Sequence, residues 1–290
     1  LQEKNGYVLN ICERANALER PVMIHQDYKV TINTVPQSLE LVCETPEKFE
    51  IAVNGTPIDK TVTGYFRDKS FKTIDISEYA KQGENVISFD CNFAQSETTY
   101  QNIRNAFIFE SEKNKLSYET EIEAIYLVGD FSVKTTGEWT KLDKNAVRYS
   151  GTFEIDAPKT EISIKNIEQQ GFPFFSDELV LNGTIDIPDS NSVLELDIKG
   201  VNALRVKIGD VEKVMLTDNN LDLSPFGVTG VTPIKITLIN NLRNLLGPHH
   251  LKCGETYWTT PASFFKEPCV WNFEPEKDWD DNYCFVETGI

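Results

Sequence analysis

One phrase occurs twice in this chain, as Asp75-Ile76-Ser77-Glu78-Tyr79 and as Asp222-Leu223-Ser224-Pro225-Phe226. The correspondence runs outward in both directions. FEIAVNGTPID (residues 49–59) matches LRVKIGDVEKV (204–214), each a strand, a tight polar turn and a second strand. ENVISFDCNF (84–93) matches TPIKITLINNL (232–242), each a strand ending in polar residues. A separation of about 150 residues is too long for a solenoid unit and suits one domain. The chain therefore reads as two β-domains of one kind in tandem, and neither copy carries the parts of a complete catalytic centre.

From Val22 onward, short alternating runs such as VMIHQDYKVTI, SLELVCE and FEIAVNG are bounded by Pro, Gly or Asn, the signature of strands and turns. Turn signals recur about every ten residues without alternating helices, which predicts sheet packed on sheet. Val53-Asn54-Gly55-Thr56 predicts a hairpin, because Asn-Gly supplies the positive φ angles of a tight turn. It is also an N-x-T sequon, as is Asn182-Gly183-Thr184, and the turn reading is preferred to glycosylation. ICERANALERP (11–21) suits a short helix ended by Pro21, and SETTYQNIRNAFIFESEKNKL (96–116) a helical turn or long loop. The expected domains are residues 1–160, with an N-terminal lead-in, and 161–290, whose aromatic tail after Gly247 wraps a sheet.

The formal charge of −17, from 45 acidic and 28 basic residues, argues against nucleic acid and against an anionic membrane surface. No run approaches the ~20 apolar residues of a membrane span. The first residue is Leu1, so the natural N-terminus is expected upstream and secretion stays open. The six cysteines (Cys12, Cys43, Cys91, Cys253, Cys269, Cys284) form no C-x-x-C pair and no dense framework, which favours a reduced, cytoplasmic setting.

Glycoside hydrolysis needs two carboxylates about 5 to 9 Å apart. Glu121, Glu123, Glu178, Glu255, Glu267, Asp278, Asp280 and Asp281 are available, but nothing in the sequence selects a pair. No nucleophile elbow, phosphate loop or H-E-x-x-H motif occurs. The Gly247-Pro248 turn gathers Arg243, Asn244, His249 and His250, whose guanidinium, amide and imidazoles suit hydrogen bonding to sugar hydroxyls. WNFEPEKDWDDNY (271–283) mixes rings with acids, as sugar sites do. Trp258, Trp271 and Trp279 are the candidate stacking platforms. No cofactor is expected, though calcium among Asp278, Asp280 and Asp281 stays open.

FEIAVNG together with DISEYAKQGENVISFDCNF (75–93) resembles the sugar-binding jelly-roll domains of large glycoside hydrolases. EQQGFPFFSDELVLNGTIDIP (168–188), INNLRNLLGPHH (239–250) and EAIYLVGDFSV (123–133) resemble the C-terminal region of α-L-rhamnosidase-like proteins of glycoside hydrolase family 106. The resemblance implies an all-β chain of two tandem jelly-roll, galactose-binding-like β-sandwiches with few short helices. It further implies a non-catalytic accessory region, because the family's hydrolytic carboxylates lie on a separate barrel. The expected partners are that catalytic domain of the same parent chain and carbohydrate. The alternatives are an autonomous carbohydrate-binding module and a structural, subunit-contact pair of sandwiches.

Overall fold

The computed structural model describes residues 21–106, 108–120, 122, 124–216, 218–252, 254 and 279–290. The described residues fall into two compact units: those up to 132 with 153–158, and 133–152 with those from 159 onward. In chain order the strands are β1 (Val22–Ile32), β2 (Leu39–Cys43), β3 (Glu50–Val53), β4 (Thr56–Pro57), β5 (Val62–Tyr65), β6 (Lys72–Asp75), β7 (Gly83–Phe93), β8 (Tyr126–Gly129), β9 (Ser132–Thr135), β10 (Glu138–Lys141), β11 (Ala146–Ser150) and β12 (Phe153–Asp156). They continue as β13 (Glu178–Ile187), β14 (Val193–Glu195), β15 (Val201–Ile208), β16 (Val211–Met215), β17 (Asn220–Asp222), β18 (Gly230–Asn240) and β19 (Tyr283–Val286). The helices are α1 (Glu97–Ala106) and the single turn α2 (Arg243–Leu246), with a few 3-10 turns. The predicted helix at 11–21 falls almost wholly outside the described residues.

In the first unit β7 is the hub. It runs antiparallel to β1 from Val22↔Phe93 to Ile32↔Gly83, and antiparallel to β3 from Glu50↔Asp90 to Val53↔Ile87. β4 folds back on β3. The Asn54-Gly55 turn between them has φ 53° and 80°, as the sequence predicts. Asn54 is also a brace: its Oδ1 accepts from Val86 N at 3.1 Å, and its Nδ2 donates to Tyr79 O at 3.0 Å. Period-two alternation sends Ile87, Phe89, Cys91 and Phe93 inward, where Phe89 meets Tyr28 and Phe49 edge-on at 5.7 and 5.5 Å. Leu41 and Ile74 of a second sheet, ordered β5–β6–β2–β8, join the same core. Each such side chain contributes about 1.5–3 kcal/mol on burial. Within residues 96–116 the segment Glu97–Ala106 forms α1, whose first turn is capped by Ser96 Oγ accepting from Thr99 N at 3.2 Å. That helix buries Tyr100 and Ile103.

The second unit repeats the arrangement. Its hub β18 runs antiparallel to β13, from Glu178↔Ile239 to Ile187↔Gly230, and to β15, with β16 folded on β15. The order β13–β18–β15–β16 thus reproduces β1–β7–β3–β4. The antiparallel pair β14–β17 stands where β2–β6 stands. The repeated phrase is a corner at the end of β6 and of β17. Asp75 Oδ1 accepts from Ser77 N at 2.9 Å and Ser77 Oγ at 2.6 Å, while Asp222 accepts from Ser224 N at 2.9 Å and Ser224 Oγ at 2.8 Å. The next backbone N–H turns across the pair in both copies, Ile76 N to Leu39 O and Leu223 N to Ser192 O. These bonds hold both carboxyls below the ordinary aspartate range, chiefly through the serine hydroxyl at Asp75 and the serine N–H at Asp222.

Tandem jelly-roll sandwiches are nevertheless not what forms. A jelly roll places eight antiparallel strands in two sheets. Here the described strands form four sheets of three strands or more and one two-stranded ribbon. β12 runs parallel to β1 at Ile32↔Ile155, and the second unit spreads its strands over β13–β18–β15–β16, β10–β11–β19 and the ribbon. The galactose-binding-like sandwich and the family 106 relationship therefore lose their structural support. The phrases that suggested them encode a hairpin, a corner and a long strand, and those local devices do not dictate how the remaining strands close a sheet. Asn182-Gly183 is a second correction. It lies inside β13, registered with Lys235 and Ile234, because the eleven-residue β18 pairs straight across it.

Candidate functional site

Arg243, Asn244, His249, His250 and Trp279 do come together, in the second unit, against β19. Asn241 Oδ1 accepts from Arg243 N at 2.9 Å and starts α2, which ends at Gly247 before a cis Gly247-Pro248 bond. The amide of buried Asn244 then pairs with a strand residue as backbone would: Nδ2 donates to Val286 O at 2.9 Å and Oδ1 accepts from Val286 N at 2.8 Å. His249 is 4% exposed. Its Nε2–H donates to Asn244 O at 2.8 Å, and its ring lies among Phe174, Tyr283 and Phe285 at centroid distances of 5.7, 5.9 and 5.5 Å. Removal from water drives its pKa down to about 4, with Arg243 and His250 adding repulsion and the Asn244 carbonyl opposing.

His250 points its Nδ1 at the carbonyls of Asp280 (3.0 Å) and Asn282 (3.1 Å) and stacks on Trp279 at 4.5 Å, 17° from parallel. Trp279 Nε1 donates to Asp281 Oδ1 at 2.8 Å. Asp280, mostly buried, sits 2.7 Å from Arg148 Nε, and Arg148 also donates to Lys252 O at 2.8 Å. Cys284 N donates to His249 O and Asp280 N to His250 O. The arrangement is a clamp: the Asn244 and His250 side chains close backbone valences of residues 279–288, and the His249 ring closes one within its own segment. Trp258 and Trp271 lie outside the described residues, as do Glu121, Glu123, Glu255, Glu267 and Asp278. Glu178 is an exposed partner of Arg205. Among the described residues no group of three or more His, Cys, Asp or Glu is placed to hold a metal ion. Among them, too, no helix is long and apolar enough to cross a membrane.

Other groups of the clamp are not announced by the sequence. Glu168 is fully buried, accepting from Thr288 N at 2.8 Å and from Gln169 Nε2 at 3.0 Å. Burial lifts its pKa against those bonds. Glu287, also buried, holds Lys141 at 3.0 Å and Lys199 at 3.3 Å, and they keep it ionised below the usual range against the cost of burial. The last residues are threaded into the unit by Gly289 N to Lys199 O, Lys199 N to Gly289 O and Ile290 N to Ile164 O. All of these contacts but the Glu168–Gln169 bond join residues far apart in sequence, so no local pattern announces them.

The described cysteines Cys43, Cys91 and Cys284 are free, buried thiols. Burial pushes Cys43 up to about 12, so it offers no thiolate for chemistry. No protein-family model matches this chain, and no curated protein matches it. With neither family nor fold supporting it, the assignment as a rhamnosidase-like accessory region is withdrawn.

Proposed function

We propose that this chain is a non-catalytic module that docks another protein through the solvent face of the sheet β13–β18–β15–β16. The observation that carries the reading is a set of apolar side chains held exposed on that outer surface among polar and charged ones. One row across the face reads Val180, the buried Thr237, Arg205 and Val214 by register, and the row beside it reads Asn182, Lys235, Lys207 and Glu212. Val214 is 60% exposed, Leu216 just beyond β16 is 68% exposed, and Val231 on β18 is 74% exposed. The matching face of the first unit carries His25, Asp27 and Lys29 on β1 beside Ser88 and Asp90 on β7. Those groups bond one another, with Asp90 2.7 Å from His25 Nδ1 and Ser88 Oγ donating to Asp27 at 2.7 Å. Val180, Val214, Leu216 and Val231 exposed on this face, against Met23 alone among the large exposed apolar residues described on the equivalent face of the first unit, are what a protein partner covers.

Cross-linking in extract of the source cells, mapped by mass spectrometry, tests the reading. Lys207 and Lys235 lie among the apolar residues and, with Lys213 on the edge strand β16, are expected to carry most partner links. Links confined to lysines of the first unit, such as Lys48, Lys60 and Lys72, would contradict it.

A further inference from the structure

The two copies of the sheet differ at one place that bears on how a partner is held. β13 is an edge strand of ten residues: it pairs with β18 and, among the described residues, no backbone group of residues 179–187 bonds to another strand. An open edge presents a row of N–H and C=O groups to any extended chain, and proteins usually guard it with charge, proline or a bulge. The other edge of the same sheet is guarded. β16 carries Glu212 and Lys213, and Lys213 is registered with the buried Val206, so a strand added there would have to face a charge on the inner side. The equivalent strand of the first unit, β1, alternates His25, Asp27 and Lys29 along its exposed face and meets β12 at Ile32. β13 has none of this. Residues 179–185, LVLNGTI, contain no charge and no proline, and the charges Glu178 and Asp186 stand outside them.

The inner side of this edge is unfinished as well. Leu179, Leu181 and Ile185 pack on the core of the second unit yet stay half-buried, because nothing described lies beyond them. In the first unit β12 supplies a buried Ile155 beside Ile32 and accepts Asn33 N at 2.8 Å. In the second unit the residue after β13 is Pro188, which has no N–H to give, so that mode is closed and the open stretch lies upstream.

We propose that β13 takes an extended segment of the partner protein as an additional strand, and that this segment alternates apolar with basic residues. Its apolar side chains cover Leu179, Leu181 and Ile185, and its basic ones reach Asp186 at one end of β13 and share Glu178 with Arg205 at the other, on a chain of net charge −17. A second copy of this chain is the poorer occupant. Antiparallel pairing about Asn182 keeps the apolar faces together but sets Glu178 against Asp186 twice, between two bodies of like charge.

This inference rests on the docking reading above and can fail separately from it. The probe is a fluorescein-labelled eight-residue peptide alternating lysine and valine, compared with the same peptide N-methylated at every second amide and with a glutamate–valine version. Anisotropy is expected to show saturable binding of the first alone, with slowed amide exchange across residues 179–187. The double variant V180K/T184K, with lysines on the outer face and its fold verified by circular dichroism, is expected to weaken binding at least about tenfold. Equal binding of the methylated peptide, no saturable binding, or protection outside residues 179–187 would overturn the proposal. So would self-association of the free chain that protects the same amides. If the peptide fails while cross-links still gather at Lys207, Lys213 and Lys235, the docking face survives and strand addition does not.

Discussion

Lowering the pH from 7 to 4.5 asks His249 to accept a proton in a site almost closed to water. Its folded pKa of about 4 lies below the ordinary value of 6.5, so the folded state refuses a proton that the unfolded state accepts. The stabilisation is therefore complete above pH 6.5 and is lost progressively as the pH falls from there toward 4. A difference of roughly 2.5 units at 1.36 kcal/mol each amounts to about 3 kcal/mol, a sizeable part of the 5–15 kcal/mol that holds a domain together. Urea unfolding followed by tryptophan fluorescence measures it, since Trp139 sits in the same aromatic cluster, 5.7 Å from Phe285. The variant His249→Phe keeps the ring and removes the titration. It also leaves the Asn244 carbonyl without its donor, a pH-independent cost of about 1–3 kcal/mol. Glu168, whose pKa is raised, acts with the opposite sign, stabilising as it protonates, and is common to both proteins. The difference between wild type and variant should therefore shrink steadily from pH 6.5 to 4.5. Parallel curves across that range would refute the assignment of His249 as a neutral, buried group.

Other consequences are as direct. Asn244→Ala strands both backbone groups of Val286 and should cost about 2–4 kcal/mol in urea unfolding, whereas a change within about 0.5 kcal/mol would mean that the bidentate pairing is not made in solution. Gly200 and Gly209 both have positive φ, 66° and 59°, but a Cβ on Gly200 would meet Glu287 O at 2.3 Å while one on Gly209 meets nothing. Gly209→Ala should therefore cost about 1 kcal/mol and Gly200→Ala distinctly more, by the same denaturation assay; equal costs would remove Glu287 from its place. Cys43, Cys91 and Cys284 should resist iodoacetamide at pH 8 until the chain is unfolded, as mass spectrometry would show, and rapid native labelling of Cys43 would contradict its burial.

What was legible in the sequence is what local chemistry encodes. The Asp-x-Ser corner, the Asn54-Gly55 hairpin and the long alternating strands carry their signals within a few residues, and their repetition exposed the duplicated strand order. Asn182-Gly183 has the same letters as Asn54-Gly55 and a different fate, because β18 is long enough to pair across it; the deciding partner lies some fifty residues on. The clamp around β19 was half legible. The sequence grouped Arg243, Asn244, His249 and His250, but nothing in it shows that Val286 takes both bonds of Asn244 or that Phe174 and Phe285 wall in His249. Those contacts make Asn244 and His249 interior braces. The sheet closure that refuted the jelly roll is longer in range still, since β12 reaches β1 across more than a hundred residues.

The central claim is an open strand edge in one copy of a duplicated sheet, and amide hydrogen exchange of the free chain tests it most directly. The account predicts slow exchange over residues 87–90 of β7 and 234–239 of β18, which are paired on both sides, and fast exchange at every second amide of residues 179–185, where β13 faces water. Uniform protection along residues 179–185 in the free chain would show that edge already occupied and would contradict the account.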